Sequence, residues 1–278
     1  MNIQPLAKHL GAIVDGVDLR KITVSEFAQL HAAYLQFKVL FFRNQELSLL
    51  EHVSLAERFG EIEPPHPFFP CVDEDKRVSI IETSRGNPPS QSYWHTDLTW
   101  QQVPSRCSIL HAKHCPESGG DTIWTSMEAV WQSLTEVEKS CLLGYTATHA
   151  LHAFQGSRYD SVDDVGLSRV VEISKAFPPV VHPVVSRHPE TNNKSLFINE
   201  QFTRQIDQLG DIESKAMLEK LFKVARNEEY QVRLSWDAGT VAIWDNYCTQ
   251  HYAVTDYADS PRKLHRVSVR GTPMIAAG

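Results

Sequence analysis

Apolar positions recur at helical spacing in several stretches of the chain. Phe27, Leu30, Tyr34 and Phe37 follow Thr23-Val24-Ser25-Glu26, a capping-box pattern in which hydroxyl and carboxylate satisfy the free N–H groups of the first turn. Ser48 and Glu51 set up a similar cap for a helix ending near Gly60, and Thr135 and Glu138 mark another short one. A longer helix is predicted from about Ile212 to Ala225, with Leu218, Leu221, Phe222 and Ala225 on one face. Elsewhere the period changes to two. Tyr230, Val232, Leu234 and Trp236 alternate with polar residues, as does the stretch from Leu264 to Arg270. Val39 to Phe42, Val78 to Ile81, Ser108 to His111, Leu196 to Asn199 and Val241 to Trp244 read as short buried strands. Many short strands separated by long insertions predict a mainly-β fold, a sandwich or jelly roll decorated by helices.

The chain has 278 residues, 42% of them apolar, enough for one sizeable core without a second domain. Residues 1–278 are therefore expected to form a single domain. The longest apolar runs fall short of the roughly 18 residues a membrane span needs. The stretch Met1 to Leu19 has no basic segment followed by an apolar core, so no secretory signal is expected. The net charge of −7, without a basic stripe, argues against nucleic acid as a partner. A small anionic substrate is compatible with that charge if local arginines receive it. Cys71, Cys107, Cys115, Cys141 and Cys248 are odd in number and form no CxxC pair, which points to free thiols in a reducing cytoplasm. Self-association into homo-oligomers stays open.

Tyr93-Trp94-His95-Thr96-Asp97 carries the first candidate chemistry. In a strand, residues i and i+2 share a face, so His95 and Asp97 could offer a nitrogen and an oxygen to one ion. Two histidines and one carboxylate leave open positions suited to Fe(II) oxygenase chemistry. HxD alone is weak, because a chain this rich in His and Asp produces it by chance about once.

The C-terminal part adds Ile243-Trp244-Asp245-Asn246, then Thr249-Gln250-His251-Tyr252-Ala253, then Arg262 and Arg266. Leu10-Gly11-Ala12 with Gly16-Val17-Asp18-Leu19, Gly119-Gly120-Asp121-Thr122-Ile123-Trp124 and Phe197-Ile198-Asn199-Glu200-Gln201-Phe202-Thr203 complete an ordered set across nearly the whole chain. Together with the HTD segment, this set resembles the taurine/2-oxoglutarate dioxygenase family, the TauD/TfdA group. The resemblance implies a double-stranded β-helix, a cupin-like jelly roll. It implies an enzyme that uses Fe(II), 2-oxoglutarate and O₂ to oxidise a C–H bond of a small organic anion. It implies His95, Asp97 and His251 as metal ligands, Thr122 as a hydrogen-bond donor to 2-oxoglutarate, and Arg262 as the group that holds the far carboxylate.

Four residues along a strand place Arg266 on the same face as Arg262, roughly 13 Å away, so the two can serve two anions. By the resemblance, Arg266 would take a substrate sulfonate, and His66, in Pro64-Pro65-His66-Pro67, would contact substrate. Gln91 stands where taurine enzymes usually carry Asn, and Phe69 where they carry Tyr, which changes the polar contacts of the pocket. The other possible substrate is a carboxylate or an amino-acid-like molecule. Phe202 and Trp94 read either as the lining of a dry cavity or as core aromatics. Asp97 opposes halogenation, which needs the carboxylate position vacant for halide.

Other histidines read as decoys. His111 and His114, near Cys115, have opposite strand parity and lack the tight fourfold arrangement zinc requires. His149 and His152 could share a helix face, His182 and His188 flank prolines in apparent loops, and His265 faces away from the two arginines. A zinc hydrolase would use the three ligands but leave Thr122 and Arg262 unexplained. A non-catalytic jelly-roll binding protein would be expected to have lost a ligand.

Overall fold

The computed structural model describes the chain apart from Arg158, Asp163, Val165 and Asp259. Its largest sheet has seven strands, in the order Asn2–Pro5, Ala12–Asp15, Val39–Phe42, Val241–Asp245, Ser105–His114, Arg262–Arg270 and Ser79–Thr83. Neighbours are antiparallel except Ala12–Asp15 with Val39–Phe42, which run parallel. Gln231–Leu234, Thr122–Ser126 and Thr249–Ala253 form a smaller sheet that packs against the first. Two further three-stranded sheets and six α-helices complete the mainly-β jelly roll among the described residues.

Strict alternation sorts the main sheet into two faces. Leu40, Phe42, Cys107, Ile109, Val241, Ile243, Val267 and Val269 pack outward on Leu30, Tyr34, Val53 and Leu55 of helices Val24–Phe37 and Leu49–Glu57. Phe41, Leu110, Ala112, Ala242, Trp244 and Leu264 pack inward on Trp124, Val232, Leu234 and Trp236 of the smaller sheet. A one-residue slip would exchange the faces, so burial on both sides fixes the register. This register puts Ser108, Trp244, Arg262 and Arg266 on the inner face. Near the mouth between the sheets lies a mostly aromatic cluster of Phe68, Leu98, Trp100, Leu151, Phe154, Val170 and Phe202.

The capping boxes Thr23/Glu26, Ser48/Glu51 and Thr135/Glu138 form as the pattern predicts. The long helix is Asp211–Ala225 and starts from Gly210, without a side-chain cap. Several local expectations need correction. Glu228–Tyr230 is a 3₁₀ turn, so the strand there is only Gln231–Leu234. The strand expected to reach Asn199 stops at Leu196, and Asn199 closes a turn by accepting from the Phe202 N–H. His149 ends strand Thr146–His149 and His152 lies in a 3₁₀ turn, so they share no helix face. His182 and His188 are both buried; His188 lies in a loop as expected, just past strand Val185–Arg187, whereas His182 does not. His182 sits in strand Val180–Pro183, and its Nε2 donates to the carbonyls of Thr99 and Gln101. The prolines that suggested loops lie at or just beyond strand ends, where a missing N–H is tolerated.

Candidate active site

His95, Asp97 and His251 come together with all their ligand atoms within 4.8 Å of one another. The approach differs from a simple i, i+2 strand. His95 forms an isolated bridge with His251, through N–H···O bonds of 3.1 and 2.8 Å, and the chain then turns through Leu98 at φ 57°. Asp97 opens that turn, and its Oδ1 lies 3.9 Å from His95 Nε2 and 4.0 Å from His251 Nε2. His95 Nδ1 donates to the Tyr93 carbonyl at 2.9 Å, which leaves the Nε2 lone pair free for an ion. Burial keeps both rings neutral, and His251 is pushed down to about 3 by burial and by His95 beside it. Burial alone would raise the Asp97 carboxyl, but Arg266, His251, His95 and the Ser108 hydroxyl outweigh it and hold Asp97 ionised. Two neutral imidazoles and one carboxylate, converging and buried, fit a divalent transition ion.

A second group, His188, Asp245 and Cys248, also brings its ligand atoms within 4.8 Å. Here His188 Nδ1 accepts from the Glu190 and Thr191 N–H groups, so Nε2 keeps its proton and donates to Asp245 at 2.8 Å. An ion on Nε2 would force the proton onto Nδ1, facing two donors. This cluster fits a buried hydrogen bond and not a metal. His111 is likewise occupied, with Nε2 donating to the Gln45 carbonyl at 2.9 Å.

Arg262 and Thr122 line the same cavity as the three ligands. The Arg262 guanidinium is buried, its Nε has no hydrogen-bond partner, and it forms no ion pair with a described residue. It lies 5.9 Å from the Trp236 ring and 5.8 Å from the Tyr257 ring. A buried guanidinium without a counter-charge is costly, so this site fits a carboxylate supplied from outside. Thr122 Oγ1 accepts from Trp236 Nε1 at 2.9 Å, leaving the hydroxyl proton to donate into the cavity. This arrangement suits a dicarboxylate whose far end reaches Arg262.

Arg266 lines the cavity as well, and its Nη1 donates to Asp97 Oδ1 at 3.2 Å. Its guanidinium lies 4.8 Å from the Phe69 ring, and its buried Nε has no partner. His66 Nδ1 accepts from the Phe68 and Phe69 N–H groups, so its Nε2 carries the proton and is a fixed donor. Phe202 lines the cavity beside the metal-ligand candidates, and Gln91 lies exposed at its edge. Trp94 does not belong to the lining; it packs on Tyr252 with ring centroids 5.6 Å apart. Sequence reasoning did not find Tyr93, Phe154, Tyr159 and Tyr257 of the lining, or Ser108 on Asp97. Their types are common in cores and strands, and their positions depend on long loops and on the turn at Leu98.

Residues 2–268 match the family described as taurine catabolism dioxygenase TauD, TfdA family. An alkylsulfatase from Acinetobacter baylyi is 34% identical over 275 residues, covering 98% of this chain and 85% of that protein. An alpha-ketoglutarate-dependent sulfate ester dioxygenase from Pseudomonas putida is 32% identical over 277 residues, with 98% and 90% covered. A solved taurine dioxygenase from Burkholderia xenovorans aligns at TM-score 0.84 and 33% identity, over 99% of this chain and 91% of that one. The chain belongs to the TauD, TfdA family and is an Fe(II)- and 2-oxoglutarate-dependent dioxygenase.

Proposed function

We propose that the enzyme oxidises a C–H bond of a small organic oxyanion, a sulfonate or a sulfate ester, whose remaining body is apolar and uncharged. The observation that carries this reading is one cavity holding the His95, Asp97 and His251 donors beside two buried arginines with unused N–H groups. In this reading His95, Asp97 and His251 hold Fe(II), and Arg262 and Thr122 hold 2-oxoglutarate. Fe(II) there, with 2-oxoglutarate and O₂ as cosubstrates, would supply the oxidant for the C–H bond, with succinate and CO₂ as co-products. Arg266 and the His66 Nε2–H receive the substrate oxyanion, since a guanidinium fork matches its oxygens.

The substrate body is argued from charge and surface. Phe69, Tyr93, Leu98, Phe154 and Phe202 line the cavity, and Asp97 is the sole carboxylate among its described lining residues. An ammonium would have no free counter-charge there, and its desolvation would be uncompensated. This argues against taurine and amino-acid-like molecules, and Phe69 and Gln91 add to that reading. The sulfate-ester relatives support the oxyanion class. Phe202 and its aromatic neighbours exclude water from the reacting carbon. Hydroxylation beside a sulfonate gives a carbon that loses its hydroxyl proton as the C–S electron pair leaves with sulfite, yielding an aldehyde. The five cysteines form no disulfide among the described residues, in keeping with a cytoplasmic enzyme. No described helix is long and apolar enough to cross a membrane.

A panel of alkyl sulfonates, alkyl sulfates, carboxylates, taurine and neutral analogues tests the reading through succinate and aldehyde formation. An alkyl oxyanion should stimulate 2-oxoglutarate consumption most. Arg266→Gln should raise its KM by a factor corresponding to about 2–5 kcal/mol, the cost of breaking a desolvated charge pair. Best turnover on taurine or on a neutral molecule would overturn the substrate assignment. Unaltered metal binding and 2-oxoglutarate turnover in Asp97→Ala would overturn the metal assignment.

A further inference from the structure

Asp97 has two oxygens in different surroundings. Oδ1 faces His95 Nε2 and His251 Nε2 and accepts from Arg266. Oδ2 points the other way and accepts from the Ser108 hydroxyl at 2.6 Å. The direction of that bond is forced, because an ionised carboxylate only accepts. With its hydrogen engaged in that bond, Ser108 Oγ accepts from Asn246 Nδ2 at 3.3 Å. Asn246 Oδ1 in turn accepts from Trp244 Nε1 at 3.0 Å. An indole N–H is a donor only, so it fixes which end of the Asn246 amide faces Ser108. Trp244 then closes the circuit, with its ring centroid 4.8 Å from that of His251. Ser108 and Trp244 are direct cross-strand partners, and Ser108, Trp244 and Asn246 are all at most 1% exposed. Water cannot readily substitute for any bond in the chain.

We propose that Ser108, Asn246 and Trp244 are positioning residues that reserve Asp97 Oδ2, so that the carboxylate offers only Oδ1 to the ion. This rests on the assignment of His95, Asp97 and His251 as ligands. A carboxylate free to rotate can present both oxygens, and the second would take a position that cosubstrate or O₂ needs. The relay also ties the carboxylate to the packing of His251. Backbone bonds between His95 and His251 hold the two segments together, but Asp97 lies in the turn beyond that bridge, so its carboxylate needs a side-chain tie of its own. Ser108 and Trp244, on adjacent strands of the main sheet, supply a rigid reference for both.

The test loads the metal-free full-length protein with Co(II) and reads affinity by titration and coordination by the visible ligand-field spectrum. Ser108→Ala should weaken Co(II) binding about 10- to 100-fold, the usual range for losing an outer partner of a metal ligand, and should alter the spectrum. Ser108→Thr keeps the hydroxyl and should restore both the affinity and the parental bands. Asn246→Asp removes the donor to Ser108 and should shift the spectrum in the same direction as Ser108→Ala. Trp244→Phe keeps a ring on His251 but loses the Nε1 donor, so it should reproduce part of that shift. If Ser108→Ala does not fold, as judged by circular dichroism, Asn246→Asp and Trp244→Phe decide the matter by the same readouts. Folded variants with parental Co(II) affinity and spectrum would overturn the relay while leaving the ligand assignment intact. A parent protein that binds no Co(II), or binds it equally well after Asp97→Ala, would overturn the ligand assignment itself.

Discussion

A single methyl group at Gly120 is enough to test what Arg262 does. Gly120 has φ +71°, and a Cβ there would stand 3.1 Å from Tyr257 Cδ1 and 3.2 Å from Arg262 Cδ. A side chain there would press on the arginine stem, which would have to give by a few tenths of an ångström, and the left-handed backbone would add strain of its own. Gly120→Ala should therefore displace the guanidinium and raise the KM for 2-oxoglutarate on the order of tenfold, about 1.4 kcal/mol, while Co(II) affinity stays at the parental value. Thr122→Ala removes one neutral donor and should cost about 1 kcal/mol in the same assay. Initial rates over a range of 2-oxoglutarate concentrations check both, and unchanged KM values would detach Arg262 and Thr122 from the cosubstrate. The positions of Arg262 and Arg266 were legible because a strand's parity places i and i+4 on one face. The Arg266 contact to Asp97 was not legible, since it depends on where the turn at Leu98 delivers the carboxylate.

At the scale of elements, local chemistry was legible wherever a short pattern determines its own geometry. The cap at Ser48 is such a case: its hydroxyl accepts from the Glu51 N–H while Glu51 Oε2 accepts from the Ser48 N–H at 2.8 Å. Helix Leu49–Glu57 lies on the outer face of the main sheet, opposite the cavity-lining face of Trp244, Leu264 and Arg266. Ser48→Ala should lower stability by about 1 kcal/mol in urea unfolding and leave the KM for 2-oxoglutarate unchanged. A shifted KM would show that the two faces are coupled. Elements whose geometry comes from elsewhere were not legible. Nothing in His95-Thr96-Asp97 announces that only His95 pairs in a ladder. The position of helix Arg169–Ser174 near the cavity mouth is equally hidden, because it depends on contacts such as Arg169 Nη2 to the Pro67 carbonyl at 2.7 Å.

For the whole molecule, the expectation that residues 1–278 form a single domain becomes a proposal about cooperativity: heat or urea should unfold the chain in one transition. The pH dependence of that transition follows from histidines outside the active site. His52, His111 and His265 gather on the outer face of the main sheet. His265 pairs across the ladder with His111, and the rings of His52 and His111 are 5.9 Å apart. Burial, and then His111 beside it, pushes His52 down to about 3, while burial and then Lys113 push His111 and His265 to about 4. All three fold neutral, whereas their ordinary value is 6.5. Between these values the unfolded chain binds more protons than the folded one, so their contribution is complete above pH 6.5 and is lost as pH falls towards 4 and then 3. Glu63 acts in the opposite sense. Burial raises its carboxyl to about 7, so the fold gains stability from its protonation as pH falls from 7 towards 4.5 and offsets part of the loss. The net urea midpoint of the metal-free protein should decline from about pH 6.5 to about pH 4, because these three and the other histidines that burial holds neutral, among them His66, His95, His149, His182 and His251, outweigh Glu63. His52→Gln keeps a donor for the Ile109 carbonyl, which His52 Nε2 now reaches at 3.0 Å, and removes one protonation site. That variant should show a shallower decline than the parent over the same interval. Parallel curves for the two proteins would mean that protonation of His52 is not part of the acid transition.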